Sequence, residues 1–154
     1  MALPRVKVAK DKAELVQKLL DTKQGTGPFQ TYADAIAFAA SFGVKHKHRV
    51  PLTEISLNEP APISLEVFIS RGYDQTIKLI AVAETQELQI LAANGEVEAQ
   101  RISIFEEYAN GGLEKLRDEL RGAVDYTERL LLILSAARFP EATTEEEFDL
   151  SRFL

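Results

Sequence analysis

The sequence predicts a mainly α protein: a single compact multi-helix domain of about six helices, leaving room for one short strand or hairpin near residues 50–70. Three observations point there. Apolar residues recur at i, i+3 and i+4 in one segment after another, the period of an amphipathic helix. Three segments open on Asp or Thr with an acidic residue three positions later, the signature of a capped helix start. The chain of 154 residues, 45% hydrophobic and 27% charged, has the size and balance of one globular domain.

Taken in order, "DKAELVQKLL" starts a helix with Asp11 as its cap, Glu14 three residues on, and Leu15, Val16, Leu19 and Leu20 at helical spacing. "KQGTGPFQ" breaks it, because Gly25, Gly27 and Pro28 resist helix. "TYADAIAFAASFG" is the next helix, capped by Thr31 with Asp34 at the third position and stopped by Gly43. Its stripe of small residues, Ala33, Ile36, Ala37 and Ala40, predicts a closely packed neighbouring helix. The stretch from residue 45 to Pro62 reads as loop, with a short extended piece at 53–57. "ISLEVFIS" alternates like a strand, yet Ser64 also suits a helix cap; the helix, ended by Gly72, is the reading taken.

"YDQTIKLIAVAET" is a firmer helix with Ile77, Ile80 and Ala81 on one side, and Asn94-Gly95 marks a turn. "VEAQRISIFEEYA" follows, with Val97, Ile102, Phe105 and Ala109 at helical intervals. Asn110, Gly111 and Gly112 then read as a helix stop, after which "LEKLRDEL" starts a second helix at an exposed corner. Asp125 with Glu128 opens "YTERLLLILSAARF", which Pro140 closes. Residues 1–140 thus form the helical domain, and residues 141–154 an acidic, loosely held tail.

Composition excludes several kinds of chemistry. No cysteine is present, so the chain offers no disulfide, no thiolate-held zinc, no cysteine-ligated cluster and no thiol nucleophile. The run "LLLIL", Leu130 to Leu134, is far short of the ~20 apolar residues of a bilayer span, and the N-terminus has no apolar signal core. The expectation is a cytoplasmic bacterial protein with no membrane contact. A net charge of −6 argues against a whole-surface nucleic-acid binder. The charge is uneven, however: Arg5, Lys7, Lys10 and Lys12 cluster near the start, "KHKHR" occupies 45–49, and the tail carries Glu141, Glu145, Glu146, Glu147 and Asp149.

Each candidate site has a plainer reading beside it. His46 and His48 supply at most two metal donors where a site needs three or four. Lys45, Lys47 and Arg49 put three cations on a loop past a helix end, a candidate phosphate or DNA contact, although an ordinary surface loop is the favoured reading because charge runs of this length are common. "QGTGPFQ" lacks the spacing and the lysine of a phosphate loop and reads as a turn. Glu106 and Glu107 are adjacent, so on a helix they diverge by about 100° and cannot converge on one substrate atom. No G-x-S-x-G elbow occurs. Nothing in these residues points to an enzyme, a cofactor or a metal. Tyr108 and Asn110, at the corner after Phe105, are the candidates for a partner contact.

"RISIFEEYANGGLEKL", together with "GYDQTIKLIAVAET" and "PFQTYADAIAFAASFGVKHKHRVPL", resembles the DNA phosphorothioation (dnd) system-associated protein 4 family, over residues 28 to about 134. The resemblance implies a small protein encoded beside the machinery that places sulfur in the DNA backbone, and it carries over no catalytic residues. A sulfur-transfer role needs a persulfide-bearing thiol or a cluster, which a chain without cysteine does not supply. The expectation is a non-catalytic accessory protein, an interaction module for other proteins of a DNA modification or restriction operon. The second reading is DNA contact or regulation through the 45–49 loop; a hydrolase without recognisable motifs is a distant third.

Overall fold

The structure is a computed structural model, and it describes residues 3–23 and 25–138. The expected acidic tail at 141–154, and the helix end expected at Pro140, lie outside the described residues. The described chain is a mainly α single domain. It comprises six α-helices: α1 Ala13–Lys18, α2 Tyr32–Lys45, α3 Leu65–Ser70, α4 Asp74–Thr85, α5 Gly95–Glu119 and α6 Tyr126–Arg138. Two minute antiparallel pairs accompany them. β1 (Arg5–Val6) pairs with β4 (Ile63–Ser64), and β2 (Asp21–Thr22) with β3 (Gly25–Thr26). The short strand expected near 50–70 is thus β4, and Ile55 adds an isolated bridge to Ala9.

Several starts are local chemistry. The Asp34 N–H donates to Thr31 Oγ1 at 3.2 Å, the Val97 N–H to Asn94 Oδ1 at 2.9 Å and the Glu128 N–H to Asp125 Oδ1 at 3.2 Å. Each satisfies one of the four orphan donors of a helix N-terminus. Ser64 likewise caps α3, accepting from the Glu66 N–H at 3.3 Å, so the ambiguous 63–70 segment is two residues of strand followed by helix. Gly72, at φ +86°, supplies the left-handed turn between α3 and α4.

The core is built on α2 and α5, which form the most extensive helix pair of the fold. Both helices bring small residues to the crossing, and their backbones nearly touch. A Cβ placed on Gly112 would lie 1.7 Å from the Ala39 carbonyl oxygen, and one on Gly43 would lie 2.1 Å from the Tyr108 carbonyl oxygen. Around this contact α2 is buried on most sides, through Ala33, Ala35, Ile36, Ala39, Ala40 and Phe42. Phe68 of α3 meets Phe105 of α5 edge-to-face, with ring centroids 5.6 Å apart, and closes the core on the far side. Asp34, beyond its place in the α2 cap, accepts two bonds from Arg71 and one from Tyr73, joining the start of α2 to the α3–α4 turn. Burial opposes ionisation of that carboxyl, but the bonds from Arg71, Tyr73 and Thr31 and the charge of Arg71 outweigh it and hold the group below its ordinary value.

Three expectations are overturned, and the reasons are tertiary. Asp11 does not cap a helix. Lys10–Lys12 form a single 3-10 turn, α1 begins at Ala13, and no side chain caps either element. Lys12 is instead buried, at 2% exposure, and the Asp11 carboxylate accepts from its amine rather than from a helix N–H. Gly43 does not stop α2, which continues through it to Lys45; its glycine serves the crossing with α5. Asn110, Gly111 and Gly112 do not stop a helix either. α5 runs through them without a break for 25 residues, and the two expected helices are one.

Glycine inside a helix normally destabilises it by about 1 kcal/mol relative to alanine. At Gly111 and Gly112 the order reverses, because the added Cβ would lie 1.8 Å and 1.7 Å from backbone oxygens that cannot move independently. Gly111→Ala and Gly112→Ala are each expected to destabilise the protein by about 2 kcal/mol or more in urea unfolding, an overpacking effect. Gly95→Ala, where the Cβ meets nothing within 4 Å, is expected to be neutral or slightly stabilising.

Candidate functional site

Of the residues singled out as candidate contacts, Arg49, Tyr108 and Asn110 gather in one place, where the loop after α2 crosses the middle of α5, and Lys45 and Lys47 do not. The Val50 N–H donates to the Glu107 carbonyl at 3.1 Å, and a Cβ on Gly111 would fall 1.8 Å from the His48 carbonyl oxygen. Loop backbone therefore lies directly on helix backbone. Gly111 is required by the loop and Gly112 by α2, which accounts for the paired glycines in the middle of a helix.

Asn110 is not at an exposed corner; it is 5% exposed. Its Nδ2 donates to the Val50 and Pro51 carbonyls at 3.2 and 3.3 Å, and its Oδ1 accepts from the Lys12 amine at 3.0 Å. A single amide thus ties the N-terminal turn, the loop and α5 together. Lys12 is fully sunk, and Asp11 Oδ2 at 3.1 Å provides its counter-charge. One turn before Asn110, the buried Glu106 accepts from the Lys7 N–H at 2.6 Å, fixing β1 against α5. Burial pushes the Glu106 carboxyl above its ordinary value, aided by the neighbouring Glu107 and opposed by the Lys7 N–H and the Lys7 charge. The adjacent carboxylates do diverge, as expected: Glu106 faces inward to β1 and Glu107 outward to the loop.

Tyr108 is partly buried, and its hydroxyl donates to Glu84 Oε2 on α4. Burial, followed by the bond to Glu84 and its charge, raises the Tyr108 hydroxyl, while Arg49 works the other way. Arg49 is not a free cation. Its Nε donates to Glu107 Oε1 at 2.6 Å and its Nη1 to Glu84 Oε1 at 3.0 Å, so it bridges α4 and α5. Burial works against the Arg49 charge, but Glu107 and Glu84 outweigh it and raise the guanidinium further. His48 lies 3.4 Å from Glu114, again toward α5.

The three candidate cations are therefore not equivalent. Arg49 is spent on the fold, whereas Lys45 and Lys47 are exposed and pair with no carboxylate among the described residues. They stand at the C-terminal end of α2, where the helix dipole favours positive charge, with the His46 ring 4.3 Å from Phe42. Among the described residues no three His, Asp or Glu side chains gather in a metal-holding arrangement.

The glycines of "QGTGPFQ" also serve packing. A Cβ on Gly27 would lie 2.0 Å from the Leu19 carbonyl oxygen, and Thr26 between the two glycines holds the start of α6. Sequence reasoning missed the part played by two groups: Lys12, read only as one of the N-terminal cations, and Arg101. The burial of Lys12 gave no signal, because its partner Asn110 is 98 residues away. Arg101 is buried as well, and it closes the 3-10 turn Leu88–Leu91 onto α5 by donating to the Ile90 and Ala92 carbonyls at 2.8 and 3.0 Å.

Two measurements probe this junction. Asn110→Ala leaves a buried ammonium with one partner fewer and strips the bonds from two loop carbonyls; a loss of about 2 kcal/mol in unfolding free energy is expected. Glu106→Gln retains an acceptor for the Lys7 N–H but carries no charge. Since the folded-state carboxyl is raised, the penalty for its charge is fully present above the folded value and is relieved as pH falls through it. Urea unfolding is expected to find the Gln variant at least as stable as the wild type at neutral pH, with any advantage shrinking in acid.

Among the described residues no helix is long and apolar enough to cross a membrane. No curated protein and no solved structure matches the chain. One family model does, and it spans residues 5–153, from β1 to the penultimate residue. That span takes in the α2–α5 crossing, the loop laid over Gly111 and the Asn110 junction, and the chain belongs to the family of DNA sulphur modification system-associated protein 4.

Proposed function

We propose that this chain is a non-catalytic accessory component of a bacterial DNA sulphur modification system, acting as a protein-interaction module for the other proteins of its modification and restriction operon. The observation that carries the reading is how the titratable groups of the junction are used. Arg49 is held between Glu84 and Glu107, Tyr108 by Glu84, and Lys12 by Asn110 and Asp11. Each binds one helix or loop to another, the work of a scaffold. The absence of cysteine supports the same reading, since sulfur transfer needs a thiol or a thiolate-held cluster.

A second reading, DNA contact, is favoured by one observation: Lys45, at the end of α2, and Lys47 just past it are exposed and have no carboxylate partner among the described residues. Two phosphate contacts give weak, salt-dependent binding.

Co-purification of the tagged chain with its operon neighbours is the test of the accessory role, and a stoichiometric complex that survives moderate salt is the expected result. A chain that stays solitary when all its neighbours are co-expressed overturns it. Gel-shift titration at two salt concentrations tests the other reading. Binding that weakens with salt and vanishes in the Lys45→Ala, Lys47→Ala double variant supports DNA contact; Arg49→Ala, by contrast, is expected to lower stability.

A further inference from the structure

Helix α6 is tied down at its first turn, and Leu130 and Ile133 turn one face of it to the core. The Tyr126 N–H donates to Thr26 Oγ1 at 2.9 Å, the Thr127 hydroxyl to the Thr26 carbonyl at 2.6 Å, and Arg129 to the Glu119 carbonyl at 3.2 Å. From there its distal half runs beside the last turn of α2. Of the run Leu130 to Leu134, only Leu130 is buried; Leu131, Leu132 and Leu134 are 61%, 59% and 45% exposed. Successive helical residues step by about 100°, so these three side chains share one side of the helix, roughly half of its circumference. Isolated exposed leucines are ordinary, but a contiguous apolar patch marks a surface that something covers.

Between the end of α2 and α6 lies a groove of about 710 Å³; Leu132 and Leu134 of the ridge form one wall, Phe42 and Ile133 lie opposite and beneath, and Lys45 and Glu119 are on its edge. Ala136 and Ala137, also in its lining, leave room for a second helix to approach closely. Ridge and groove thus sit side by side on one surface, which is what a two-fold interface demands: the same patch must complement itself. The charges follow the same rule. Glu128 is exposed in the first turn of α6, while Lys45 is exposed beside the distal half. Two α6 helices laid antiparallel bring each Glu128 toward the other copy's Lys45.

We infer that two copies of this chain pair through α6, antiparallel about a two-fold axis, each seating its exposed leucines in the groove of the other. The pairing is independent of the accessory role, because a chain can associate with itself whether or not it binds operon neighbours.

Sedimentation equilibrium of the full chain, from micromolar to sub-millimolar concentration, tests it. The expected result is a dimer that is lost in the Leu132→Glu, Leu134→Glu double variant while circular dichroism stays that of the wild type. Glu128→Lys and Lys45→Glu should each weaken the dimer, and the two combined in one chain should restore it. A monomer across the whole range overturns the pairing. Hydrogen exchange then identifies the actual cover: α6 amides protected in that monomer mean that the chain covers its own helix, and freely exchanging ones leave the face to a different protein. A dimer indifferent to the leucine substitutions, or a charge swap that fails to restore association, also overturns it.

Discussion

The rest of the structure depends on the contact between the backbones of α2 and α5. At Gly43 and Gly112 no side chain separates the two helices, and a single added methyl would collide with a carbonyl oxygen. So close an approach gains dispersion contacts along both helices and sets the axis around which every other element packs. It also determines where the chain goes next. With α2 pressed to α5, the loop from His46 onward has to leave across α5 itself, and Gly111 is the residue that lets it pass.

The polar groups of this region follow from that geometry. A loop lying on a helix buries carbonyls that water no longer reaches, and buried carbonyls need donors. Asn110 meets the carbonyls of Val50 and Pro51, and its remaining oxygen draws in the Lys12 amine. Outside this buried layer, Arg49 bridges Glu84 and Glu107, and Tyr108 binds the free oxygen of Glu84. The segment that bears the family resemblance is thus the segment on which the fold is assembled. Its unusual residues are explained by packing and hydrogen-bond satisfaction before any ligand is invoked. A chain built this way offers partners its periphery, and α6, with Leu131, Leu132 and Leu134 exposed along one side, is the part of the described periphery richest in uncovered apolar surface.

The difference between Arg49 and its neighbours Lys45 and Lys47 shows what a charge run conceals. All three read alike in "KHKHR". Past the end of α2 the chain turns onto α5, which carries Arg49 to Glu84 and Glu107 and leaves both lysines in solvent. A planar guanidinium with several donors suits the bridging position between two carboxylates better than an ammonium does.

What the sequence determined by itself was most of what depends on near neighbours, the Asp11 cap excepted: the mainly α class, the Thr31 and Asp125 helix starts, the turn at Gly72, the ambiguous Ser64 segment leaning to helix, and the family. Caps, turns and apolar periodicity act within a few residues, so the order of the letters contains their physics. Tertiary structure alone decided the meaning of Gly43, Gly111 and Gly112, the burial of Lys12 and Asn110, and the pairing of Arg49. Glycine tolerates both a left-handed turn and a close backbone approach, and in a sequence the two uses look the same. Which one applies depends on whether another backbone lies beside it. For Gly112 that backbone is Ala39, on a different helix and far beyond the reach of any local signal, and only the packed helices bring it there.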